Sequence, residues 1–338
     1  MAGRKIRVLV VDDSIFFREV IARGIETDPA IEVVARASDP FDARDKILQY
    51  KPDVMTCDVE MPKMNGIEFI RRLLPQHAIP VIVISTVSSA VFDAMNAGAV
   101  DFVSKPEIQT EKCMEKFLLE VISKIKIAAN AKISKSSLPD IVDYSSGKIN
   151  KQKIIAIGAS TGGTEAVYKI LKCLPADMPG ILIVQHIPPV FSRMFAQRLD
   201  SQTNLVVKEA QSGDWLEQGK VFVAPGDKHM KIKKIGDRYK IETFHGEKVN
   251  GHCPSVDVLF DSVAKEAGSA AVGIILTGMG YDGARGLLNM RRKGARTIGQ
   301  DEQSCVVYGM PKVAFELGAV EIQTSLINIP QILMSMLK

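Results

Sequence analysis

The sequence is poor in cysteine, and its few cysteines do not pair at close spacing. They are odd in number and scattered along the chain: Cys57, Cys113, Cys173, Cys253 and Cys305. The scatter argues against a disulfide framework, and the lack of a C-x-x-C pair argues against a zinc site. Both features favour a reducing compartment.

Long apolar runs are also absent. The N-terminal sequence MAGRKIRVLVVDDS reaches two aspartates before any apolar stretch long enough for a signal peptide. No later run approaches the roughly 20 apolar residues that a membrane-spanning helix needs. We therefore expect a cytoplasmic protein.

Neither sign of charge dominates the chain. Its 43 basic and 39 acidic residues give a formal net charge of +4, which an ordinary solvated surface explains. This balance gives no support for a nucleic-acid partner. A length of 338 residues with 46% hydrophobic residues is enough for two separate cores.

Short apolar runs alternate with amphipathic segments in the first part of the chain. The runs are typical of buried strands, and the segments between them have helical spacing. This alternation predicts an α/β domain over residues 4–125, with a five-stranded parallel sheet of the doubly wound, flavodoxin-like kind. Predicted strands cover 6–11, 31–35, 54–58, 81–85 and 101–103, and predicted helices cover 16–27, 40–50, 66–74, 88–97 and 111–125.

The pattern breaks at residues 126–152, which are rich in Lys, Ser and Asn and are predicted to be an interdomain linker. A second α/β pattern covers 153–338 and predicts a mostly parallel sheet with an added β-hairpin. Its predicted strands are 154–157, 181–185, 271–276, 297–299 and 320–322, and the hairpin-like segments are 206–209, 221–225 and 231–243.

Three acids are predicted to meet at one edge of the first sheet. Asp12 and Asp13 follow the first strand, and Asp58 ends the third; Ser85 ends the fourth strand, and Lys105 follows the fifth. The carboxyl ends of parallel strands share one crevice. Each acid alone fits a turn or a helix N-cap. Together, the five residues indicate a site for Mg²⁺ and a phosphoryl group.

The segments VLVVDDS, DVEMPKMNG and GAVDFVSKP resemble a response-regulator receiver domain over about residues 4–123. The resemblance implies that Asp58 is the phosphoacceptor, with a histidine kinase as phosphodonor. Phe102 occupies the switch position, where many receivers have Tyr. The implied Mg²⁺ ligands are Asp12, Asp13, Asp58 and the backbone carbonyl of Glu60, and the implied phosphoryl contacts are Lys105 and Ser85, with Thr86 beside them.

A G-x-S-x-G motif, residues 158–162, follows the first predicted strand of the second domain. A sharp strand-to-helix turn exposes its central residue, Ser160, and the following helix offers N–H groups to an oxyanion. A serine nucleophile needs a base and an acid that orients it. His186 ends the next predicted strand, and Asp282 lies in the strand end TGMGYDG, so these two are the candidates.

Other interpretations of these residues stay open at this point. GASTGG is also compatible with a phosphate-binding loop, although Ser160 replaces a glycine that the G-x-G-x-x-G pattern requires. A histidine at a strand end is commonly a structural residue. The chain order Ser, His, Asp also differs from the Ser, Asp, His order of α/β-hydrolases.

Six segments extend the resemblance to nearly the whole chain: IGASTGG, VQHIPPVFSRMFAQRLD, VAPGDKH, PSVDVLF, ILTGMGYDGARGLL and QDEQSCVVYGMPKVA. Together they are similar to the chemotaxis protein-glutamate methylesterase (CheB) family. The resemblance implies a Ser160 nucleophile, a His186 general base and an orienting Asp282. It also implies that the Met279 amide serves the oxyanion hole and that Thr161 lines the site.

The family implies hydrolysis of γ-glutamyl methyl esters on the cytoplasmic domains of chemoreceptors, with release of methanol. It leaves deamidation of receptor glutamines open. Ester hydrolysis would need no cofactor, and the protein would meet a membrane only through its receptors. We expect the unphosphorylated receiver to cover the Ser160 crevice, and phosphorylation of Asp58 to favour an open arrangement.

Two other classes of protein also begin with a receiver. A gene regulator would need a helix-turn-helix with a basic recognition helix, and the second domain has α/β patterning instead. A catalytically silent adaptor would bind receptors without turnover. Replacement of Ser160 by alanine distinguishes the enzyme from the adaptor, because only the enzyme loses activity.

Overall fold

The computed structural model describes residues 4–86, 90–107, 110–131 and 149–338. The chain forms two compact units, residues 1–133 and 134–338. The division falls inside the predicted linker 126–152, of which residues 132–148 lie outside the described part.

The described residues of the first unit form five strands and five α-helices. The strands are β1 (Ile6–Val11), β2 (Ile31–Ala37), β3 (Val54–Asp58), β4 (Val81–Ser85) and β5 (Asp101–Ser104). The helices are α1 (Ile15–Ile25), α2 (Pro40–Tyr50), α3 (Gly66–Leu73), α4 (Ala90–Asn96) and α5 (Glu111–Ala128). The strands pair in parallel in the order β2-β1-β3-β4-β5.

The predicted elements of this unit are found with small shifts in their ends. β3 and β4 are buried along their whole length, as central strands covered on both faces must be. Helix α5 continues to Ala128, three residues into the predicted linker. The predicted start of the fourth helix, residues 88 and 89, lies outside the described residues.

Side-chain caps explain where four of these helices begin. Ser14, Asp39, Asn65 and Thr110 each accept a hydrogen bond from a backbone amide in the first turn of the helix that follows. Each cap satisfies an amide that would otherwise have no partner at the helix start. The caps at Ser14 and Asn65 fix the two loops that carry the predicted acids.

Two sheets are formed by residues 149–338 of the second unit. Strands of the main sheet are β6 (Ile154–Ala159), β7 (Gly180–Gln185), β8 (Val206–Glu209), β10 (Lys220–Val223), β13 (Ala271–Ile275), β14 (Arg296–Gln300) and β15 (Ile322–Thr324). They pair in parallel in the order β15-β14-β13-β6-β7-β10-β8. The small antiparallel sheet contains β9 (Trp215–Leu216), β11 (His229–Ile235) and β12 (Arg238–Phe244).

Within the same described range, six α-helices accompany these sheets. They are α6 (Gly163–Lys172), α7 (Pro189–Gln202), α8 (Val256–Glu266), α9 (Ala284–Arg292), α10 (Met310–Glu316) and α11 (Ile329–Met336). Four phenylalanines from this unit, each at most 2% exposed, are among its largest buried side chains: Phe191, Phe195, Phe222 and Phe260. They contribute strongly to its core, since burial of aromatic area is a large favourable term in folding.

The hairpin interpretation is wrong for 206–209 and 221–225. These segments form β8 and β10, which pair in parallel with each other at the edge of the main sheet. Only 231–243 forms a hairpin, as β11 and β12. A short strand has the same sequence pattern in a parallel pair as in an antiparallel pair. The turn residues between these segments therefore favoured a hairpin that the structure does not contain at this place. The last strand also lies at Ile322–Thr324 rather than at 320–322.

No helix in the described ranges combines the length and the apolar character that crossing a bilayer requires.

Candidate active site and phosphoacceptor pocket

Ser160 lies where three neighbouring strands of the main sheet end. Ala159 of β6 pairs with Gln185 of β7, and the amide of His186 donates to the carbonyl of Ala159 at 3.1 Å. On the other side, the amide of Ser160 donates to the carbonyl of Thr277, which follows β13, at 3.0 Å. Adjacent strands lie about 4.8 Å apart, so residues 160 and 186 leave the sheet side by side.

Close contacts explain the small residues around this serine. Gly162 has a left-handed φ of +75° just before α6, a conformation that favours glycine. A Cβ on Gly163 would come within 2.3 Å of the side-chain oxygen of Gln185. The side-chain amide Nε2 of Gln185 also donates to the carbonyl of Ser160 at 2.9 Å and fixes the turn from the neighbouring strand.

His186 and Asp282 form a buried hydrogen-bonded pair. The Nε2 of His186 lies 2.9 Å from Oδ2 of Asp282, and their side chains are only 7% and 1% exposed. A carboxylate at this distance assigns the proton of a neutral imidazole to Nε2. Nδ1 is buried and has no hydrogen-bond partner in the described ranges. In this tautomer Nδ1 carries a lone pair that can accept a proton.

Asp282 is held at the N-terminus of α8. The Ser255 hydroxyl and the Val256 amide each donate to its carboxylate at 2.7 Å, and the Asp257 amide donates at 3.3 Å. The Asn250 side chain adds a further bond at 2.8 Å. The helix dipole also favours a negative charge at this position.

These contacts decide the charge of Asp282. Burial alone would raise its pKa, but hydrogen bonds from His186, Asn250 and Ser255 outweigh burial and hold the pKa well below its usual range. Asp282 is therefore an anion that can orient His186 and stabilise an imidazolium.

His252 packs face to face on His186. The ring centroids are 3.7 Å apart and the ring planes differ by 8°. Burial, together with the nearby His186, lowers the pKa of His252 to about 4. The ring against His186 is thus neutral near pH 7.

Sequence reasoning missed four residues that contact this constellation: Gln185, Asn250, His252 and Ser255. One local signal was present, because Val249-Asn250-Gly251-His252 contains the Asn-Gly pair of a two-residue hairpin turn. The structure has that turn, since Val249 and His252 exchange two backbone hydrogen bonds of 3.0 Å. The signal predicts the turn and says nothing about what the turn contacts.

The predicted oxyanion and lining residues flank the same crevice. Gly278 is fixed by its amide, which donates to the carbonyl of Val307 at 3.0 Å. Next to it, Met279 is 49% exposed, and its amide has no acceptor among the described residues. Thr161 is buried, and its carbonyl accepts a hydrogen bond from the Thr277 hydroxyl at 3.0 Å.

In the first unit the predicted acids and lysine meet at the ends of β1, β3 and β5. Lys105 Nζ lies 2.9 Å from Oδ2 of Asp12 and 2.5 Å from Oδ2 of Asp58. Asp12, Asp13 and Asp58 each offer a carboxylate oxygen, and these oxygens lie within 4.8 Å of one another. The ring of Phe17, which sequence reasoning missed, lies 4.8 Å from Nζ.

Burial and charge act in opposite directions in this pocket. Burial raises the pKa of Asp12, and the hydrogen bond from Lys105 only partly offsets that effect. For Lys105, burial would lower the pKa, but hydrogen bonds to Asp58 and Asp12 raise it above its usual value. An oxygen-only donor set with one exposed member, Asp13, fits Mg²⁺, which keeps part of its water shell.

The other residues predicted for the first unit lie on or next to β3, β4 and β5. Ser85 is buried, with no partner for its hydroxyl in the part of the chain described, and Thr86 next to it is exposed. The Glu60 amide donates to Asp58 Oδ1 at 3.3 Å. Phe102 on β5 is buried, with its ring 6.3 Å from that of Phe92 in an edge contact.

A close backbone contact explains the glycine of the DVEMPKMNG segment. A Cβ on Gly66 would meet the carbonyl oxygen of Asp58 at 2.0 Å, so α3 can start there only with glycine. This contact packs the start of α3 against the end of β3.

The two folds and the two pockets define a two-domain α/β protein that has a separate polar site in each domain. A doubly wound unit with clustered carboxylates and a buried lysine is joined to an α/β unit with a serine beside a histidine–aspartate pair.

Family models identify both units. The CheB methylesterase model matches residues 155–333, and the response regulator receiver domain model matches residues 8–117. The chain belongs to the CheB methylesterase family and carries a receiver domain. The predicted family, the two-domain α/β fold class and the enzyme class are confirmed.

Individual relatives cover the chain almost completely. It is 58% identical over 334 residues to protein-glutamate methylesterase/protein-glutamine glutaminase 2 of Syntrophomonas wolfei, with 98% of each chain covered. It is 48% identical to protein-glutamate methylesterase/protein-glutamine glutaminase of Syntrophotalea carbinolica, covering 96% of this chain and 95% of that one. The crystal structure of the Thermotoga maritima CheB methylesterase catalytic domain matches with a TM-score of 0.53 and 38% identity, over 54% of this chain and 97% of that chain.

Proposed function

We propose that this protein is a phosphorylation-activated serine esterase that hydrolyses γ-glutamyl methyl esters on chemoreceptors and releases methanol. The observation that carries the proposal is the buried His186–Asp282 hydrogen bond beside the Ser160 turn. The names of the relatives, protein-glutamate methylesterase/protein-glutamine glutaminase, support the choice of substrate.

The proposed reaction assigns a role to each side chain of the site. Ser160 attacks the ester carbonyl while Nδ1 of His186 takes its proton, and Asp282 stabilises the resulting imidazolium. The Met279 amide donates to the oxyanion, and Thr161 lines the site. His186 then protonates the departing methoxide, and water hydrolyses the acyl-enzyme without a cofactor. The same steps on a glutamine side chain would release ammonia.

For the first unit we propose Asp58 as the phosphoacceptor and a histidine kinase as phosphodonor. A bound Mg²⁺ supplies positive charge that offsets the negative charge of the phosphoryl group. Phe102 is proposed as the switch aromatic residue. The proposed metal ligands are Asp12, Asp13, Asp58 and the carbonyl of Glu60, and the proposed phosphoryl contacts are Lys105, Ser85 and Thr86.

The proposed domains are a receiver at 4–125, a linker at 126–152 and a catalytic domain at 153–338. Contacts at the end of the proposed linker guide truncation experiments. The amide of Asn150 donates to the carbonyl of Leu337 at 2.7 Å, and Lys153 Nζ donates to the carbonyl of Met336 at 2.5 Å. A catalytic fragment should therefore start no later than residue 149.

The proposed partners are the cytoplasmic domains of chemoreceptors, through which the protein would reach a membrane. We propose no nucleic-acid partner.

Methanol release from methylated receptor membranes tests the esterase. We expect the full-length protein to release methanol, and the Ser160→Ala variant to lose several orders of magnitude in kcat. Ser269→Ala, an exposed serine before β13, is the matched control and should keep the wild-type rate. Turnover by Ser160→Ala at the wild-type rate would contradict the serine mechanism.

Acetyl phosphate with Mg²⁺ tests the regulation. We expect it to raise the rate of the full-length protein and to leave the fragment 149–338 unaffected. The fragment should be faster than the unphosphorylated full-length protein if the receiver is inhibitory. An equal or slower fragment would argue against inhibition.

A further inference from the structure

The turn from Val249 to His252 contacts both members of the His186–Asp282 pair. Asn250 and Gly251 occupy its two central positions, with φ of +53° and +83°. Positive φ at both positions is the signature of a type I′ hairpin turn, in which Asn-Gly is favoured. The turn is closed by the two backbone hydrogen bonds between Val249 and His252.

Asn250 fixes this turn against the acid. Its side-chain amide donates to Oδ1 of Asp282 at 2.8 Å and to Oδ2 of Asp257 at 2.7 Å. Asp257 in turn accepts a hydrogen bond from the Gly286 amide at 2.7 Å. The turn is therefore tied to the starts of α8 and α9 as well as to Asp282.

His252 covers the base. Its ring lies parallel to that of His186 at a centroid distance of 3.7 Å, while Asp282 holds Nε2 of the same ring through a hydrogen bond of 2.9 Å. A single hydrogen bond leaves an imidazole free to tilt about that bond. A ring stacked on one face removes the tilt, and so limits the positions that Nδ1 can take.

We propose that the turn of residues 249–252 is a positioning clamp in which Asn250 holds the carboxylate of Asp282 and His252 holds the ring of His186. This inference rests on the proposed function, because it assigns a purpose to the orientation of the general base. His252 and Asn250 act through His186 and Asp282, and neither is assigned to the substrate.

Charge supports the same arrangement. When His186 takes the serine proton it becomes a cation, and the face of a neutral aromatic ring attracts a cation. A protonated ring in that position would repel it. The low pKa of His252 keeps the covering ring neutral at the pH where the esterase would work. Lys248 and His186 oppose protonation of His252, and Asp282 favours it.

Replacement of His252 in the full-length protein tests the clamp. The substrate is a peptide γ-glutamyl methyl ester, assayed in the presence of acetyl phosphate and Mg²⁺. We expect His252→Ala to lower kcat by about 10- to 100-fold with little change in KM, because the base is misplaced while substrate contacts remain. His252→Phe restores a flat ring and should stay within about threefold of wild type.

Two controls separate positioning from general damage. His245→Ala removes an exposed histidine of the same loop and should keep the wild-type kcat. In a His186→Ala background, removal of the His252 ring should have no further effect, because no base remains to be positioned. Thermal unfolding of each variant shows whether the fold is kept.

The outcomes are distinct. Wild-type kcat in His252→Ala, or a His252→Phe variant as slow as His252→Ala, would overturn the clamp. A loss that is equal in His245→Ala would overturn it as well. Turnover by Ser160→Ala at the wild-type rate would overturn the proposed function instead. An inactive Ser160→Ala with a fully active His252→Ala would refute the clamp alone.

Discussion

The two units both place carboxylates at the carboxyl ends of parallel strands, but the partners of those carboxylates differ. In the first unit Asp12 and Asp58 share the single ammonium group of Lys105, and Asp13 is exposed. In the second unit the single carboxylate of Asp282 accepts hydrogen bonds from two backbone amides and three side chains.

This difference reflects two kinds of site. Three carboxylates facing one ammonium group leave an excess of negative charge, which a cation can neutralise. The carboxylate of Asp282 already has its donors, so its geometry is fixed before substrate arrives. Changes in the first pocket should therefore act through ligand binding, and changes in the second should act through the orientation of groups.

The largest expected effect comes from a change that disturbs the orientation of His186 in the second site. Asp282→Asn should lower kcat by about 10⁴-fold, because an amide no longer fixes the tautomer of His186 or stabilises its cation. Methanol release at saturating substrate measures this effect. Asp237→Asn, at the exposed turn between β11 and β12, should leave kcat unchanged. A variant that keeps a tenth of wild-type kcat would show that Asp282 is not needed to orient the base.

The next effect concerns ligand binding in the first pocket. Asp58→Asn should reduce phosphate incorporation from acetyl phosphate to background, and the rate increase caused by the phosphodonor should disappear. Asp45→Asn, an exposed aspartate of α2, is the control and should incorporate phosphate normally. Normal incorporation into Asp58→Asn would move the phosphoacceptor to another residue.

A smaller effect is expected from His252 on the pH dependence of stability. Its pKa is about 4 in the folded protein against 6.5 for an ordinary histidine. Between these values the unfolded chain binds more protons, so folding stability falls as pH drops from 6.5 to 4. Because the His252 ring is partly exposed, solvent screening limits the expected loss to about 2 kcal/mol. Asp282 acts in the same direction in a lower pH range: its stabilisation is present above its unfolded value of 3.8 and is lost as the pH falls below that value.

Urea unfolding of the fragment 149–338 at pH 7.5 and pH 4.5 measures this dependence. His252→Phe should show a smaller loss of unfolding free energy than wild type over this interval, because it has no imidazole to protonate. Parallel curves for the two proteins would place the pH dependence elsewhere.

The smallest expected effect is on the unfolding free energy when either of two buried hydroxyls of the first unit is removed. Thr56 and Ser85 both lack a hydrogen-bond partner among the residues described. Thr56→Val should change the unfolding free energy by less than about 1 kcal/mol, because no hydrogen bond is lost. Ser85→Ala should be similarly neutral for stability but should slow phosphorylation. A loss of more than about 2 kcal/mol in Thr56→Val, measured by urea unfolding, would reveal a partner for that hydroxyl.

Sequence patterns were sufficient for the first unit because its central strands are buried on both faces. Runs such as β3 and β4 are then continuously apolar and easy to recognise. The same reasoning failed for β8 and β10, which are four residues long; β8 is the edge strand of the main sheet, and β10 lies next to it. Their partners are chosen by the packing of the sheet, and the local sequence does not encode that choice.

The candidate site was predictable where a short motif or a position at a strand end is typical of one local geometry. Ser160 follows from G-x-S-x-G, and the acids of the first pocket follow from their positions at strand ends. His186 and Asp282 required the further step of matching strand ends to one crevice. Their assigned roles remain predictions that the variants above test.

By itself, the sequence determined the two α/β patterns, the family and the candidate catalytic and ligand-binding residues. Periodicity and short motifs involve residues that are close together in the chain, so they can be recognised without a structure. Only the tertiary structure brought Asn250 and His252 to the His186–Asp282 pair. Those contacts join residues 32 and 66 positions apart in the chain. Packing of α8, the Asn-Gly turn and the main sheet sets such distances, and no short segment contains the information.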